Sequence, residues 1–137
     1  MKKSILNFND LAPDAQILTA GGQSIQLSSL WAQRPVVLAF TRHFGCPQCK
    51  ELLDELSHAQ PALEEAGIGL VVVTQGQPGK ESEEFCAQYA PGVMCLCDPQ
   101  RKLYRAFGLQ RGTLLQTVLS PSVWSGNARA RKKGFNV

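Results

Sequence analysis

No stretch of this chain approaches the run of about eighteen apolar residues that a membrane-crossing helix needs, so a helical span is excluded and no membrane partner is expected. Internal repeats and low-complexity segments are also missing, which removes solenoid arrays and tails of biased composition. Aromatic residues make up only 7% of the 137 positions. The formal charge is only +3, and Arg129, Arg131, Lys132 and Lys133 crowd its basic excess into the last few residues. The body therefore lacks a basic stripe with interleaved aromatics, and nucleic acid is not an expected partner. Met1-Lys2-Lys3-Ser4 has the look of an export signal, but Asn7, Asn9 and Asp10 interrupt it before an apolar stretch develops. With no export signal, the expected location is cytoplasmic.

What is present indicates one domain over residues 1–137, with 1–12 as a flexible lead and 109–137 as a segment of weak pattern. Five cysteines, an odd number in a reducing compartment, point to catalytic, metal-binding or buried thiols rather than a disulfide framework. Ile17-Leu18-Thr19 and Ser24-Ile25-Gln26-Leu27 flank Gly21-Gly22 and predict a short hairpin. Val36 to Phe40 is a continuous apolar run, the pattern of a central strand covered on both faces. A helix is expected from Pro47 to Ala66, stopped by Gly67, with Leu52, Leu56, Ala59 and Leu63 on its packed face and Pro61 bending or splitting it. Ile68 to Thr74 is the next strand, and the strand-helix-strand order requires parallel, right-handed pairing. Glu81 to Tyr89 reads as a helix with Phe85 and Tyr89 inward, Val93 to Cys97 as a strand closed by Asp98-Pro99, and Leu103, Tyr104 and Phe107 as a last short helix before Gly108.

The informative residues lie where the Val36 to Phe40 strand gives way to the helix: Thr41-Arg42-His43-Phe44-Gly45-Cys46-Pro47-Gln48-Cys49-Lys50. Cysteines three apart in a first helical turn have Cα atoms about 5 Å apart, within the range a disulfide requires. The helix N-terminus supplies free N–H groups and a partial positive charge, both favouring a thiolate at Cys46. Arg42, His43 and Lys50 are candidate positive charges beside it, and such a cysteine titrates below the usual value of about 8.5. Cys49, on the same face, is placed to resolve a sulfenic acid or mixed disulfide on Cys46, although the roles can be exchanged. Thr41 is a further candidate supporting residue, with strand propensity as its plainer explanation. Trp31 and Phe44 flank the motif and are either core residues or the rim of an apolar mouth. Cys95 and Cys97 point to one face of their strand and read as packing, as does Cys86 on its helix.

Together with the hairpin, with Gly69-Leu70-Val71-Val72-Val73 and with Cys97-Asp98-Pro99 followed by Leu103-Tyr104-Arg105-Ala106-Phe107-Gly108-Leu109, this motif resembles the peroxiredoxin-like branch of the alkyl hydroperoxide reductase/thiol-specific antioxidant family. The resemblance covers most of the chain. It implies an α/β, thioredoxin-like fold, a central mixed sheet flanked by helices, and thiol-based antioxidant reduction of peroxides or disulfides. A peroxiredoxin register puts Cys46 where that family has a threonine and Cys49 on the nucleophile, while a thioredoxin register makes Cys46 the attacker. An arginine from later in the chain, among Arg105, Arg129 and Arg131, is implied as support for the thiolate. Thioredoxin folds also end in further strands and a helix, so the C-terminus looks truncated; an unpaired sheet edge then predicts self-association, with a homodimer as one form.

The leading functional expectation is an oxidoreductase whose redox-active disulfide is Cys46–Cys49, with a peroxide or a protein disulfide as substrate. It needs no cofactor and no metal, and an external dithiol such as a thioredoxin or glutathione system rereduces it. Two alternatives belong to other classes. One is a zinc-binding structural module built from Cys46, Cys49, Cys95 and Cys97; the other is a redox-inactive interaction domain on the same fold.

Overall fold

The computed structural model describes residues 6–42, 46–109 and 132–134, and within them the apolar runs become five strands of one sheet. In chain order these residues form β1 (Gln16–Thr19), β2 (Ser24–Gln26), a 3-10 turn (Leu27–Trp31), β3 (Val36–Phe40), α1 (Pro47–Glu65), β4 (Gly69–Thr74), α2 (Lys80–Tyr89), β5 (Met94–Cys97) and α3 (Lys102–Ala106). The strands lie side by side as β2-β1-β5-β4-β3. β3, β4 and β5 are parallel, as the helical crossovers demand, and β1 joins β5 and β2 in antiparallel fashion. The result is the mixed, helix-flanked sheet of a thioredoxin-like fold.

Gly22, at φ 89°, takes the left-handed conformation that lets β1 turn back as β2 within four residues. β4 forms the buried centre: all six of its residues are covered, whereas β3 is an edge strand among the described residues and leaves Val37 38% exposed. Among the described residues the central place expected of Val36 to Phe40 belongs to β4 instead. A run of apolar residues records that side chains are covered, and it does not record how many strands lie beside them. β5 adds on the far side of β4 and, among the described residues, leaves β3 outermost.

Two apolar layers cover the sheet. On one face Ile17, Leu27, Val71, Val73, Leu96, Leu103 and Tyr104 form a buried cluster, with Phe40 and Trp31 packed against it. Trp31 is thus a core residue. On the other face Leu53, Val72, Phe85, Cys86, Ala90 and Cys95 join α1 and α2 to the sheet. Pro47, Cys49, Lys50, Glu51 and Leu53 are the buried residues of α1; of the expected packed face Leu56 and Leu63 are half-buried, while Leu52 and Ala59 face outward and are corrected. Each helical residue turns the face by about 100°, so Leu53 in place of Leu52 brings the start of the stripe into line with Leu56 and Leu63. Nor does Pro61 split α1, which runs unbroken past it to Gly67, whose φ of 76° ends it. The expectations from residue 110 to 131 and from 135 to 137, the chain ending included, lie outside the described residues.

α3 is short and depends on Asp98. The buried carboxylate accepts hydrogen bonds from the backbone N–H groups of Lys102 (3.1 Å), Leu103 (2.7 Å) and Tyr104 (3.3 Å). A five-residue helix is too short to persist by its own ladder, so these bonds fix where Leu103 and Tyr104 enter the core. Asp98→Ala is expected to lower stability by about 1–3 kcal/mol, as loss of a charged cap does. Urea unfolding measures it, and a change under about 0.5 kcal/mol would show that α3 is held by packing alone.

Candidate active site

Cys46 is the residue that opens α1. Its backbone is still extended (φ −76°, ψ 114°), Pro47 follows at the first helical position, and its carbonyl accepts from the N–H groups of Cys49 (3.1 Å) and Lys50 (3.2 Å). Proline suits that place because the N–H it lacks has no intrahelical partner there. Cys49 lies one turn on, and the two cysteine side chains share a hydrogen bond. Both are covered, with 4% and 6% of their surface accessible.

That hydrogen bond divides the proton between the two sulfurs. Donation from the Cys49 thiol is the largest influence on Cys46 and pulls its pKa down from an ordinary thiol value to about 5. Burial opposes this shift; the Cys49 and Gln48 N–H groups and the charge of Arg42 reinforce it. These amides make no full side-chain capping bond to the sulfur, but they lie close enough to favour its negative charge. Cys49 moves the other way, pushed up first by the same bond and then by burial, with the Arg42 backbone amide and charge opposing. The reduced pair is accordingly a thiolate at Cys46 and a thiol at Cys49.

Cys49 is held from a second side. The backbone N–H of Arg42 donates to its sulfur at 3.1 Å. The carbonyl of that same peptide unit, on Thr41, accepts from the Tyr104 hydroxyl at 2.6 Å. Tyr104 also reaches the Val73 carbonyl at 2.9 Å, and the Thr41 N–H (2.9 Å) and hydroxyl (3.1 Å) donate to that carbonyl as well. A donor on one end of an amide makes the N–H at its other end a stronger donor, so Tyr104 acts on Cys49 through the Thr41–Arg42 peptide. The spent hydroxyl of Thr41 is structural.

The other expected site residues divide. Arg42 has an exposed side chain whose charge acts on both sulfurs. Lys50 sets its ammonium 5.3 Å from the centre of the Tyr89 ring on α2. Arg105 donates to the Gln100 carbonyl at 2.8 Å and stays on its own helix. His43, Phe44, Arg129 and Arg131 lie outside the described residues. No group of three or more metal-ligating side chains converges among the described residues, so Cys46, Cys49, Cys95 and Cys97 do not assemble the zinc site considered above.

Comparison with known proteins agrees with this fold. The model of the AhpC/TSA family matches residues 8–127. The chain belongs to the AhpC/TSA family. Among its relatives, the Salmo salar prostamide/prostaglandin F synthase is 36% identical over 121 residues, covering 85% of this chain and 59% of that protein. Human peroxiredoxin-like 2C is 33% identical over 97 residues, covering 70% and 42%. This chain thus spans about half the length of the curated relatives it matches. The crystal structure of the peroxidoxin BcpB from Mycobacterium tuberculosis has the same fold, with a TM-score of 0.68 at 24% identity over 77% of this chain and 68% of that one. A Chlorobium tepidum thiol:disulfide interchange protein of the DsbE type matches with a TM-score of 0.65 at 23% identity over 77% and 72%.

As a peroxiredoxin-like AhpC/TSA member, the chain carries a redox fold whose site has one residue that sequence reading missed. Tyr104 stood out only as a helix residue because its hydrogen-bond partner is 63 positions away. Two measurements check the geometry. Thiolate absorbance of the reduced protein is expected to fall as pH drops through about 5, where Cys46 takes up its proton. Cys49→Ala, which removes the donor, is expected to raise that midpoint by roughly one to two units. Tyr104→Phe, which keeps the ring and removes the hydroxyl, is expected to cost about 1 kcal/mol by thermal or urea unfolding and to slow alkylation of Cys49 relative to that of Cys46.

Proposed function

We propose that this chain is a thiol-dependent oxidoreductase that reduces small hydroperoxides through a Cys46/Cys49 couple. The observation that carries this reading is the shared proton: Cys46 is ionised from a pH of about 5 upward, and the hydrogen-bonded Cys49 thiol stands ready to react with it. The Cys46 thiolate attacks the terminal oxygen of ROOH, the O–O bond breaks, and the departing alkoxide takes a proton to leave as ROH. Cys46 is now a sulfenic acid. The Cys49 sulfur, with the Arg42 N–H favouring its thiolate form, displaces the hydroxyl as water and forms the disulfide. An external dithiol, of the thioredoxin or glutathione type, reduces that disulfide by exchange and becomes oxidised itself.

Burial favours a small peroxide over a protein disulfide as the oxidant. With 4% and 6% of their surfaces accessible, the sulfurs admit a two-oxygen head group more readily than the bulky mixed disulfide that a protein substrate must form. The names of the relatives point to more than one substrate, so a lipid hydroperoxide belongs beside hydrogen peroxide in any assay.

Mass spectrometry of the reduced protein after one equivalent of hydrogen peroxide is the direct test. The expected product is two mass units lighter, with Cys46 joined to Cys49; Cys49→Ser accumulates a sulfenic acid at Cys46, and Cys46→Ser forms neither. A sulfenic acid on Cys49 with Cys46 untouched would reverse the assigned roles. No oxidation at either residue would end the proposal.

A further inference from the structure

The relation between Cys46 and Cys49 recurs at a second place that neither the sequence motif nor the proposed reaction uses. Cys86 on α2 and Cys95 on β5 are both buried in one apolar cluster between helix and sheet, and their thiols are close enough to perturb one another. Nine positions apart in sequence, they are brought together by the α2–β5 turn, in which the Val93 N–H donates to the Ala90 carbonyl. Cys97, on the same face of β5, is engaged elsewhere, its sulfur 3.8 Å from the Thr74 hydroxyl.

This second pair is reachable. A shallow cavity of about 320 Å³ is lined by both cysteines together with Thr19, Ala20, Glu83 and Ala90. Small-residue packing does not require two thiols together at the wall of a solvent-open cavity. The Cys95 thiol pulls Cys86 below the ordinary thiol range, against burial, and Cys86 in turn pushes Cys95 up. The Glu83 carboxylate at the rim disfavours anionic oxidants and leaves neutral ones to enter.

We propose that Cys86 and Cys95 are a second redox couple, which a small neutral hydroperoxide closes to a disulfide that pins α2 to β5. Cys86 sulfur attacks the O–O bond of ROOH, giving Cys86 sulfenic acid and ROH. The Cys95 thiol then attacks that sulfur, the S–O bond breaks, and water leaves. In sum two thiols and ROOH become one disulfide, ROH and H2O, with sulfur oxidised and the peroxide oxygen reduced. With both side chains in one buried cluster and at one cavity wall, closure brings the sulfurs to the S–S length of about 2.05 Å.

The test uses the Cys46→Ser/Cys49→Ser variant of this chain, so that the first couple contributes nothing. After reduction it is treated with one to ten equivalents of hydrogen peroxide, alkylated in denaturant and digested with trypsin and then chymotrypsin, because Cys86, Cys95 and Cys97 share one tryptic fragment and Tyr89 separates the first from the others. The expected product has lost two mass units, links the fragments on either side of Tyr89 and carries alkyl on Cys97 alone. Linkage persists in Cys97→Ala and vanishes in Cys95→Ala. The same fragments from the otherwise wild-type chain give the answer if a variant does not fold. Three fully alkylated cysteines at ten equivalents, a Cys86–Cys97 link, or in the wild-type chain a link from Cys86 to Cys46 or Cys49, overturns the proposal. Because the first couple is absent from the main test, its outcome is separate from that of the proposed peroxide reduction.

Discussion

The Val73 carbonyl anchors the site. The Thr41 amide and hydroxyl donate to it, and the Tyr104 hydroxyl divides its one proton between it and the Thr41 carbonyl; together they fasten the end of β3 and the start of the cysteine loop to the fully buried β4. Without that anchorage the Arg42 amide has no fixed direction, and the sulfur it faces loses one of its two hydrogen-bonded contacts. The head of α1 is thus fastened to the fully buried strand of the sheet by the β3–β4 ladder and, at its end, by this carbonyl. Charge-stabilising dipoles are most effective when their orientation is paid for before the reaction begins.

The support extends further from the sulfurs than the motif does. Asp98 organises α3, α3 delivers Tyr104 across the sheet end, and Tyr104 addresses the peptide that reaches Cys49. Each link is a polar group buried with its partner, so each is costly to break and fixes the next in place. The exposed groups play a smaller part. The Arg42 side chain acts as a charge through solvent-screened space, and Lys50 rests its ammonium near the Tyr89 ring.

How far the sequence could be read depended on the range of the interaction involved. The Gly21-Gly22 hairpin, the β3–α1–β4 crossover and the cysteine pair after Gly45 all follow from residues close together in the chain, and the family resemblance rested on them. Strand order did not follow, because Val36 to Phe40 and Gly69 to Thr74 are equally apolar and differ only in their number of neighbours. The phase of α1 was equally hidden, since Leu52 and Leu53 both fit an apolar stripe and a contact made by Cys49 decides between them. The Tyr104 contact and the Cys86–Cys95 pair arise from packing between separate elements. Asp98 offered the one local clue, an acidic residue four positions before Lys102 at the start of a helical pattern.

The division of one proton between Cys46 and Cys49 has a consequence for the energetics of electron transfer. Every group that favours the anion on Cys46 acts on the reduced pair and is without effect once the sulfurs are joined, since a disulfide carries no charge to stabilise. Favouring the reduced form raises the reduction potential of a couple, by about 30 mV for each 1.4 kcal/mol. In the proposed couple the opening of α1 therefore shifts the balance toward the reduced form. A donor dithiol would readily fill such a disulfide with electrons, and a peroxide O–O bond is oxidising enough to take them on.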